Sequence, residues 1–294
     1  DLTVHSLNED ETAVFLDGGM VGAVLNLGDY TPYGSGYSLD LVLEDLTVTN
    51  GYLASDSGAF AAGVSCTESG TASSITVENV VFEGNDGALG DGGGAVFTYG
   101  CDLDMTDVEV TSNASPYGAV FAQGSADLSI TDSVFDSNES LDTSALRIDL
   151  GSAYSAALSG VDFYDNESGG NNSGGTVALT NSGSALFDDV AVFSNSTTST
   201  NSDATSGVTH SGSSELEWTG SSSQSSGSWL NEDYGPGLLI KSGSASFVAD
   251  VADFGGSSSN NADYDIDFSS SYGSAYYAPD DASFVCNNYR CGDD

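Results

Sequence analysis

Few side chains in this 294-residue chain could act as a cationic catalyst or a proton carrier: three are Lys or Arg and two are His. A polysaccharide lyase needs a cationic base or electrophile beside clustered acids. Arg147 lies between apolar Leu146 and Ile148, so strand alternation points it outward, where we expect a solvated ion pair. No nucleophile motif surrounds either histidine. The residues concerned are Arg147, Lys241, Arg290, His5 and His210.

Carboxylates are the other candidate chemistry, because glycoside hydrolases use two of them at a defined separation. Asp188 with Asp189 and Asp280 with Asp281 are adjacent pairs, but acids occur all along the chain. The sequence therefore favours a non-catalytic protein. The alternative is a carbohydrate-active enzyme, either a polysaccharide lyase or a glycoside hydrolase.

Acidic residues outnumber basic ones by 44 to 3, which gives a net charge of −41. Such a surface repels nucleic acid and anionic lipid headgroups, so neither is expected as a partner. Salt or divalent cations would screen the self-repulsion. No apolar run approaches the ~20 residues of a membrane span, and none is predicted.

The chain has four cysteines, an even number that suits an oxidising compartment. Cys286 and Cys291 are close enough to join within the C-terminal tail. Cys66 and Cys101 lie about one repeat plus an insertion apart, so a bond between them would link neighbouring turns. The alternative is that these thiols pack as small apolar groups.

A repeated unit places these residues. Its apolar centres, taken as the zero position, recur at steps of 28, 25, 28 and 29 residues, at Val77, Met105, Ile130, Leu158 and Phe187. Small or apolar side chains also stand two positions before and five positions after each centre. The residue eight positions after each centre is an asparagine: Asn85, Asn113, Asn138, Asn166 and Asn195. This fixed period indicates a repeat protein.

The parity of the pattern predicts a bend within each unit. Positions minus two and zero share one strand face, as do plus three and plus five, but the parity slips by one between the pairs. A corner is therefore expected at plus two, whose residues tolerate left-handed backbone angles: Asn79, Asp107, Asp132, Gly160 and Asp189. A third strand, such as Gly94 to Phe97, follows each asparagine.

Three short strands per repeat around one apolar interior predict an all-β fold, a parallel β-helix solenoid of roughly eight or nine coils. We assign residues 1–268 to the β-helix, with the best-defined coils in 39–200 and degenerate coils in 201–268. Residues 269–294 are assigned to a Tyr-rich, Cys-containing C-terminal tail or cap.

Equal offsets on successive coils stack in columns, so the five asparagines are expected to form an inward ladder bonded through their amides. Four of them also begin Asn-x-Ser/Thr sequons, and facing inward they should not accept glycans. The expected acceptor is Asn171, in a loop, if the host modifies such sites. The four ladder sequons begin at Asn113, Asn138, Asn166 and Asn195.

Most acids fall in columns where neutral residues separate them, which favours solvated surface charge. Two pairs stack directly: Asp107 with Asp132, and Glu139 with Glu167. Stacked carboxylates repel unless a cation bridges them, and carboxylate oxygens are ligands for calcium. These four residues are the candidate calcium site, and calcium is the one cofactor that the sequence suggests.

Short motifs resemble a known group of repeat proteins. GGAV at 93–96 and the segments FEGN, FDSN and FYDN, which start at Phe82, Phe135 and Phe163, resemble the GGA[ILV] and FxxN repeats of chlamydial polymorphic membrane proteins. The opening FLDGG…AVLNLGD…LEDLTVTNG is similar to the N-terminal coils of bacterial surface-exposed right-handed β-helix repeat proteins. The resemblance covers roughly residues 12–200. It implies right-handed winding and a secreted or cell-surface bacterial protein of adhesive or structural type.

Two regions are expected to make contacts. The loops between each ladder asparagine and the third strand vary most in length, so that face should meet surface glycans or proteins. The ends of a β-helix expose strand edges, to which Asp1–Leu7 or the tail of another copy could add. The expected function is a non-catalytic extracellular or cell-surface structural protein, self-assembling into a filament or surface layer, adhesive, or both.

Overall fold

In the computed structural model every regular element among the described residues is a β-strand. The runs that form them are short, rich in β-branched residues and bounded by Gly, Asn, Asp and Ser, which are turn formers. The structure describes residues 2–5, 14–27, 38, 40–53, 60–67, 73–88, 92–169, 174–180, 183–198, 205–211, 215–219, 222–223, 238–240, 246–250, 252–253, 266–268, 275–277 and 284–285.

The strands are numbered in chain order. Those up to the fourth ladder asparagine are β1 (Leu2–His5), β2 (Phe15–Asp17), β3 (Leu25–Leu27), β4 (Asp40–Thr49), β5 (Val64–Thr67), β6 (Ser73–Glu83), β7 (Val96–Tyr99), β8 (Cys101–Thr106), β9 (Glu109–Thr111), β10 (Ala114–Ser115), β11 (Val120–Gly124), β12 (Leu128–Thr131), β13 (Val134–Asp136), β14 (Glu139–Ser140), β15 (Thr143–Leu150), β16 (Ser155–Ser159) and β17 (Asp162–Tyr164). Those that follow are β18 (Glu167–Ser168), β19 (Gly175–Leu179), β20 (Ser184–Asp188), β21 (Ala191–Phe193), β22 (Ser196–Thr197), β23 (Val208–His210), β24 (Glu215–Thr219), β25 (Ser222–Ser223), β26 (Leu238–Ile240), β27 (Ser246–Asp250), β28 (Ala252–Asp253), β29 (Ile266–Phe268), β30 (Ala275–Tyr277) and β31 (Phe284–Val285).

Each strand pairs in parallel with its equivalent one turn later. Ile130 stands opposite Met105 on one side and Leu158 on the other, so the zero positions stack as the repeat predicts. An 18-stranded sheet contains both halves of the bent pair, and a nine-stranded sheet contains the third strands. The described chain is therefore a parallel β-helix, as predicted.

Six successive turns lie between residues 40 and 198. Strands β1 to β3 add a turn before them, and β23 to β31 continue the stack after them. The nine third-sheet strands agree with the eight or nine expected coils. Strands β30 and β31 pair with β27 and β28, so the stack runs past residue 268 into the segment assigned to the tail. The right-handed winding stays a prediction.

Left-handed residues form the corners between the two halves of the bent pair. All five predicted corner residues have positive φ angles, from 48° at Asp132 to 64° at Gly160, and Asp45 adds a sixth at 54°. A second series of left-handed residues directly precedes the ladder position, and the sequence did not predict it. Its members are Asn50, Gly84, Ser112, Ser137, Asp165 and Ser194.

The interior is filled by columns of apolar side chains. The rings of Phe135 and Phe163 stack with centroids 4.7 Å apart, and both are fully buried. Burying a side chain of this size contributes about 1.5–3 kcal/mol, so the stacked columns are the main source of cohesion between turns. The plus-five column shows this burial throughout: Phe82, Val110, Phe135, Phe163 and Val192.

A short strand follows four of the five ladder asparagines, which the three-strand prediction missed. Strands β10, β14, β18 and β22 form a four-stranded sheet of two-residue strands. Their second residues face inward and are buried: Ser115, Ser140, Ser168 and Thr197. A polar two-residue strand carries no apolar run that sequence reading could detect.

Candidate functional site

The five asparagines form the expected ladder. In each step, the backbone N–H and the Nδ2–H of one asparagine both donate to the Oδ1 of the next, at 2.9–3.1 Å. All five side chains are buried, with at most 1% exposed. The left-handed residue before each asparagine turns the chain so that this side chain points to the interior.

The remaining donors and acceptors of the ladder are also paired. Each Nδ2 makes a second hydrogen bond to a backbone carbonyl, for instance Asn138 to Val110 at 2.8 Å. Each of the first four backbone carbonyls accepts an N–H from the next turn, such as that of Glu167 on Asn138. The Gly51 N–H begins the ladder by donating to Asn85 Oδ1 at 3.0 Å. A Cβ at Gly51 would collide with the Ala62 carbonyl, so no asparagine fits there.

Because the four ladder sequons are buried, their asparagines are not accessible to glycosylation in the folded protein. Asn113, Asn138, Asn166 and Asn195 each donate their amide hydrogens to main-chain or ladder oxygens. A glycan on any of these nitrogens would break those bonds. Asn171, the expected acceptor, lies outside the described residues.

Cys66 and Cys101 form a disulfide, as one of the two readings of their spacing predicted. Their Cα atoms are 6.2 Å apart, and both residues are buried. The bond joins the end of β5 to the start of β8, one turn on. Cys286 and Cys291 lie outside the described residues.

The candidate calcium residues lie on the outer surface. Glu139 stands directly opposite Glu167 on β14 and β18, and both are exposed. Asp107 and Asp132 are exposed at corresponding corners of successive turns. Within the described ranges, no group of three or more His, Cys, Asp or Glu side chains is gathered as a metal centre. The calcium site stays a prediction.

The prediction of stacked acids missed one pair. Glu44 stands directly opposite Glu78 on β4 and β6. This pair involves an earlier copy of the unit, with Leu43 at its zero position, whereas the predicted register begins at Val77.

Arg147 points outward and forms an ion pair, as expected. The ion pair is less exposed to solvent than predicted. Its NH1 donates to Asp142 Oδ2 at 2.7 Å, with 19% and 27% of the two side chains exposed. Its Cζ lies 5.2 Å from the ring centre of Tyr117 and 5.1 Å from that of Phe121. The guanidinium therefore makes cation–π contacts with two rings from the preceding turn.

Part of the outer face of the third sheet, at Phe97 and Phe121, is covered rather than open. Phe97 and Phe121 are outward neighbours of Arg147 in register, yet only 3% and 5% exposed. They pack with Phe60 and Tyr117 as a second apolar cluster outside the main core. The phenylalanine that ends each GAVF segment is the sequence signal for this cluster, because alternation points it away from the core. We call Tyr117, Phe121, Leu141, Asp142 and Arg147 the Arg147 cluster.

Within the part of the chain that the structure describes, the candidate catalytic residues do not gather into one site. His5 lies in the first turn and His210 in β23, six strands further along the third-sheet stack, about 29 Å at 4.8 Å per turn. Asp188 ends β20 and Asp189 is the adjoining left-handed corner, both exposed. Lys241, Arg290, Asp280 and Asp281 have no described side chains.

In one group of side chains on the outer surface, the pKa values are raised by burial and by neighbouring carboxylates. Burial, followed by the charge of Asp189, raises the pKa of Asp162 above 3.8. Burial also raises the pKa of Tyr164, with further contributions from nearby carboxylates including Asp136 and Glu109. Tyr164 stacks on Phe193 with ring centres 5.5 Å apart. This group is an anionic surface with an aromatic pair, and it contains no described cation.

Comparison with protein family models, with curated proteins and with solved structures found no match. The resemblance to the chlamydial polymorphic membrane proteins and to the bacterial surface β-helix proteins therefore stays a prediction. The described residues include no helix long and apolar enough to cross a membrane.

Proposed function

We propose that this protein is a non-catalytic extracellular or cell-surface structural protein that associates with copies of itself through the first turn of its β-helix. Export to a bacterial surface agrees with the disulfide and with the strongly acidic composition. The self-association rests on the first turn, which combines unpaired strand edges with exposed apolar side chains.

The first turn presents strand edges and apolar surface together. Strands β1, β2 and β3 pair with β4, β4 and β5, and no described strand pairs with their other edges. Leu16 and Leu25 pack on the core but stay partly exposed, whereas Val48 and Val64 on the next turn are fully buried. Four apolar side chains here are strongly exposed: Leu2 at 44%, Phe15 at 57%, Met20 at 48% and Val21 at 86%.

The proposed contact differs from the strand addition expected from sequence, which used Asp1–Leu7 or the tail of another copy. Leu2–His5 pairs with Leu41–Glu44 of its own chain. The second edge of this turn, rather than a free arm, is the surface offered to another copy. Unpaired parallel edges are templates for further strands. Repeated contacts of this kind produce a filament when they do not close into a ring.

Electron microscopy of the purified protein tests the proposal, with calcium and with a chelator in parallel samples. We expect end-to-end particles or fibres in at least one condition. Phe15→Asp and Val21→Asp should abolish them without lowering the melting temperature, because both side chains are exposed. Leu141→Asp is the matched control, since Leu141 is 63% exposed but lies in a loop. Monodisperse single rods under all conditions would contradict the proposal.

Calcium enters the proposal as the cation that bridges stacked carboxylates. Glu139 and Glu167 are the best-placed pair, because they are exposed and directly opposed. We expect a chelator to lower the melting temperature of the calcium-loaded protein. No shift on chelation would remove calcium from the account and leave the assembly proposal standing.

A further inference from the structure

We propose that the Arg147 cluster is a binding site for a neutral saccharide. This inference goes beyond the assembly proposed above. It supplies a ligand class for the adhesive role expected of the loop face.

Two loops build the cluster. Tyr117 lies in the loop after Asn113, while Leu141 and Asp142 lie in the loop after Asn138. Arg147, on β15, contacts Asp142 and Tyr117, and Phe121, on β11, packs against Tyr117. These are the variable loops between ladder and third strand, on the face where repeat proteins usually bind partners.

The polar groups of the cluster have unused hydrogen-bonding capacity. The guanidinium has five N–H donors, and a described residue accepts from just one of them, on NH1. Its buried Nε–H has no acceptor among the residues that the structure describes. Leaving a buried donor unpaired is unfavourable. If the Arg147–Asp142 ion pair had a purely structural role, we would expect this donor to be paired within the protein.

Asp142 supplies acceptors beside those donors. Its Oδ2 accepts from Arg147, and its Oδ1 accepts from the Gly174 N–H at 3.0 Å. Each carboxylate oxygen has a second lone pair. Adjacent hydroxyls of a sugar both donate and accept, so one pair of hydroxyls can bond to a guanidinium and a carboxylate that lie side by side.

Apolar side chains adjoin this polar pair: Arg147 lies over the ring of Tyr117, and Leu141 directly precedes Asp142 in the chain. Leu141 is 63% exposed, and Tyr117 is partly exposed. The C–H face of a pyranose packs on surfaces of this type, and binding sites commonly combine apolar walls with a few convergent polar groups.

Charge selects a neutral ligand. The chain carries a net charge of −41, which repels anionic polymers. Asp142 already neutralises Arg147, so the cluster does not attract anions by itself. A cationic ligand would have to compete with Arg147 for both Asp142 and the rings. A saccharide with hydroxyls and no charge meets none of these obstacles.

Calorimetric titration with neutral and charged oligosaccharides tests the proposal. The probes are cellohexaose, maltohexaose, xylohexaose and mannohexaose, with hexagalacturonate as the charged comparison. We expect at least one neutral probe to bind with an affinity that changes little between low salt and about 1 M salt. Binding of hexagalacturonate alone, or of no probe, would overturn the proposal.

Variants locate the site. Arg147→Lys keeps the charge but removes the planar donor edge, and should weaken binding at least about tenfold. Leu141→Ser changes an exposed side chain, leaves the fold intact and should weaken binding about threefold or more. Tyr99→Ala is the matched control, since Tyr99 is 40% exposed on β7 outside the cluster and should have no effect. Unchanged affinity in Leu141→Ser and in a folded Arg147→Lys would refute the assignment.

The same samples separate this inference from the proposed function. Oligosaccharide recovered intact after incubation is the expected result. Cleavage that Arg147→Ala abolishes would contradict the non-catalytic function and favour the enzyme alternative, while leaving saccharide binding in place. The absence of end-to-end particles in the electron microscope would contradict the proposed assembly. It would have no bearing on the saccharide site.

Discussion

Two neighbouring positions of the repeat show how differently the inside and the outside of this rod are built. Position plus eight, inside, is an asparagine on five successive turns, and all five amides are paired. Position plus nine, directly after it and outside, holds Asp86, Ala114, Glu139, Glu167 and Ser196. The interior column repeats because each side chain completes the hydrogen bonds of the turn before it. The outer column varies because solvent satisfies its groups individually.

Stability and recognition therefore depend on different positions of the repeat. A change in the inner column affects two neighbouring turns at once, because each asparagine both donates and accepts along the axis. A change in the outer column affects a charge that water already solvates. Recognition can therefore evolve on the outer face, in loops such as those of the Arg147 cluster, without disturbing the stack.

The largest expected effect comes from breaking the inner column in its middle. Asn138→Ala leaves the Asn113 N–H without its acceptor and removes one acceptor from the Asn113 Nδ2, whereas Asn166 Oδ1 keeps the backbone N–H of residue 138. We expect a loss of about 3–5 kcal/mol in the free energy of unfolding, measured by denaturant titration. Glu139→Ala, one residue on and exposed, should stay within about 0.5 kcal/mol of the parent protein. Equal losses in the two variants would erase the proposed contrast.

Removing the covalent link between turns should be the next largest effect. Cys66 and Cys101 are separated by 35 positions. For a loop of that size the disulfide is expected to stabilise by about 3–4 kcal/mol. The double variant Cys66→Ser and Cys101→Ser should lower the melting temperature in non-reducing buffer. Adding a reductant to that variant should cause no further loss, and a further loss would mean that other disulfides matter more.

Relieving a stacked pair of acids should have a small effect of opposite sign. Glu167→Gln removes the repulsion with Glu139 and should stabilise by less than about 1 kcal/mol in low salt without calcium. The gain should vanish near 1 M salt, where the screening length is ~3 Å. If calcium bridges the pair, the same substitution should abolish the stabilisation by calcium. A gain that persists in high salt would point to a cause other than repulsion.

The smallest predicted effect concerns Asp162 and depends on pH. Its pKa in the folded protein is raised above 3.8 by burial and then by Asp189. The protonated form is thus favoured by folding, so this contribution is present below pH 3.8 and is lost as pH rises through the raised pKa. Asp162→Asn should raise the melting temperature slightly at pH 7 and leave it unchanged near pH 3. A stabilisation equal at both pH values would contradict this assignment.

Sequence alone predicts much of the inner architecture, because each turn imposes the same steric demand. Asn79, Asp107 and Asp132 mark the first corner since they are residue types that tolerate positive φ. The second corner was missed at Ser112 and Ser137, because serine rarely adopts left-handed angles and carries no such signal. At both serines the left-handed conformation turns the next residue, a ladder asparagine, into the interior.

The outer face was predicted less completely, for a different physical reason. Alternation along β15 is enough to point Arg147 outward. The rings that Arg147 contacts belong to Tyr117, in a loop, and Phe121, in a strand, both in the preceding turn. Loop conformation does not follow from a repeat period. The exposure of the first turn could not be predicted either, because it depends on how much of the next turn β1 and β2 cover.

Residue-resolved amide hydrogen exchange on Asn138→Ala tests the central claim most directly, namely that the inner column is a chain of individual side-chain bonds. In the native ladder the Asn113 N–H donates to Asn138 Oδ1, while the Asn85 N–H donates to Asn113 Oδ1. The account predicts that the substitution greatly accelerates exchange at Asn113 and leaves Asn85 protected. Equal protection of both amides in the variant would contradict it.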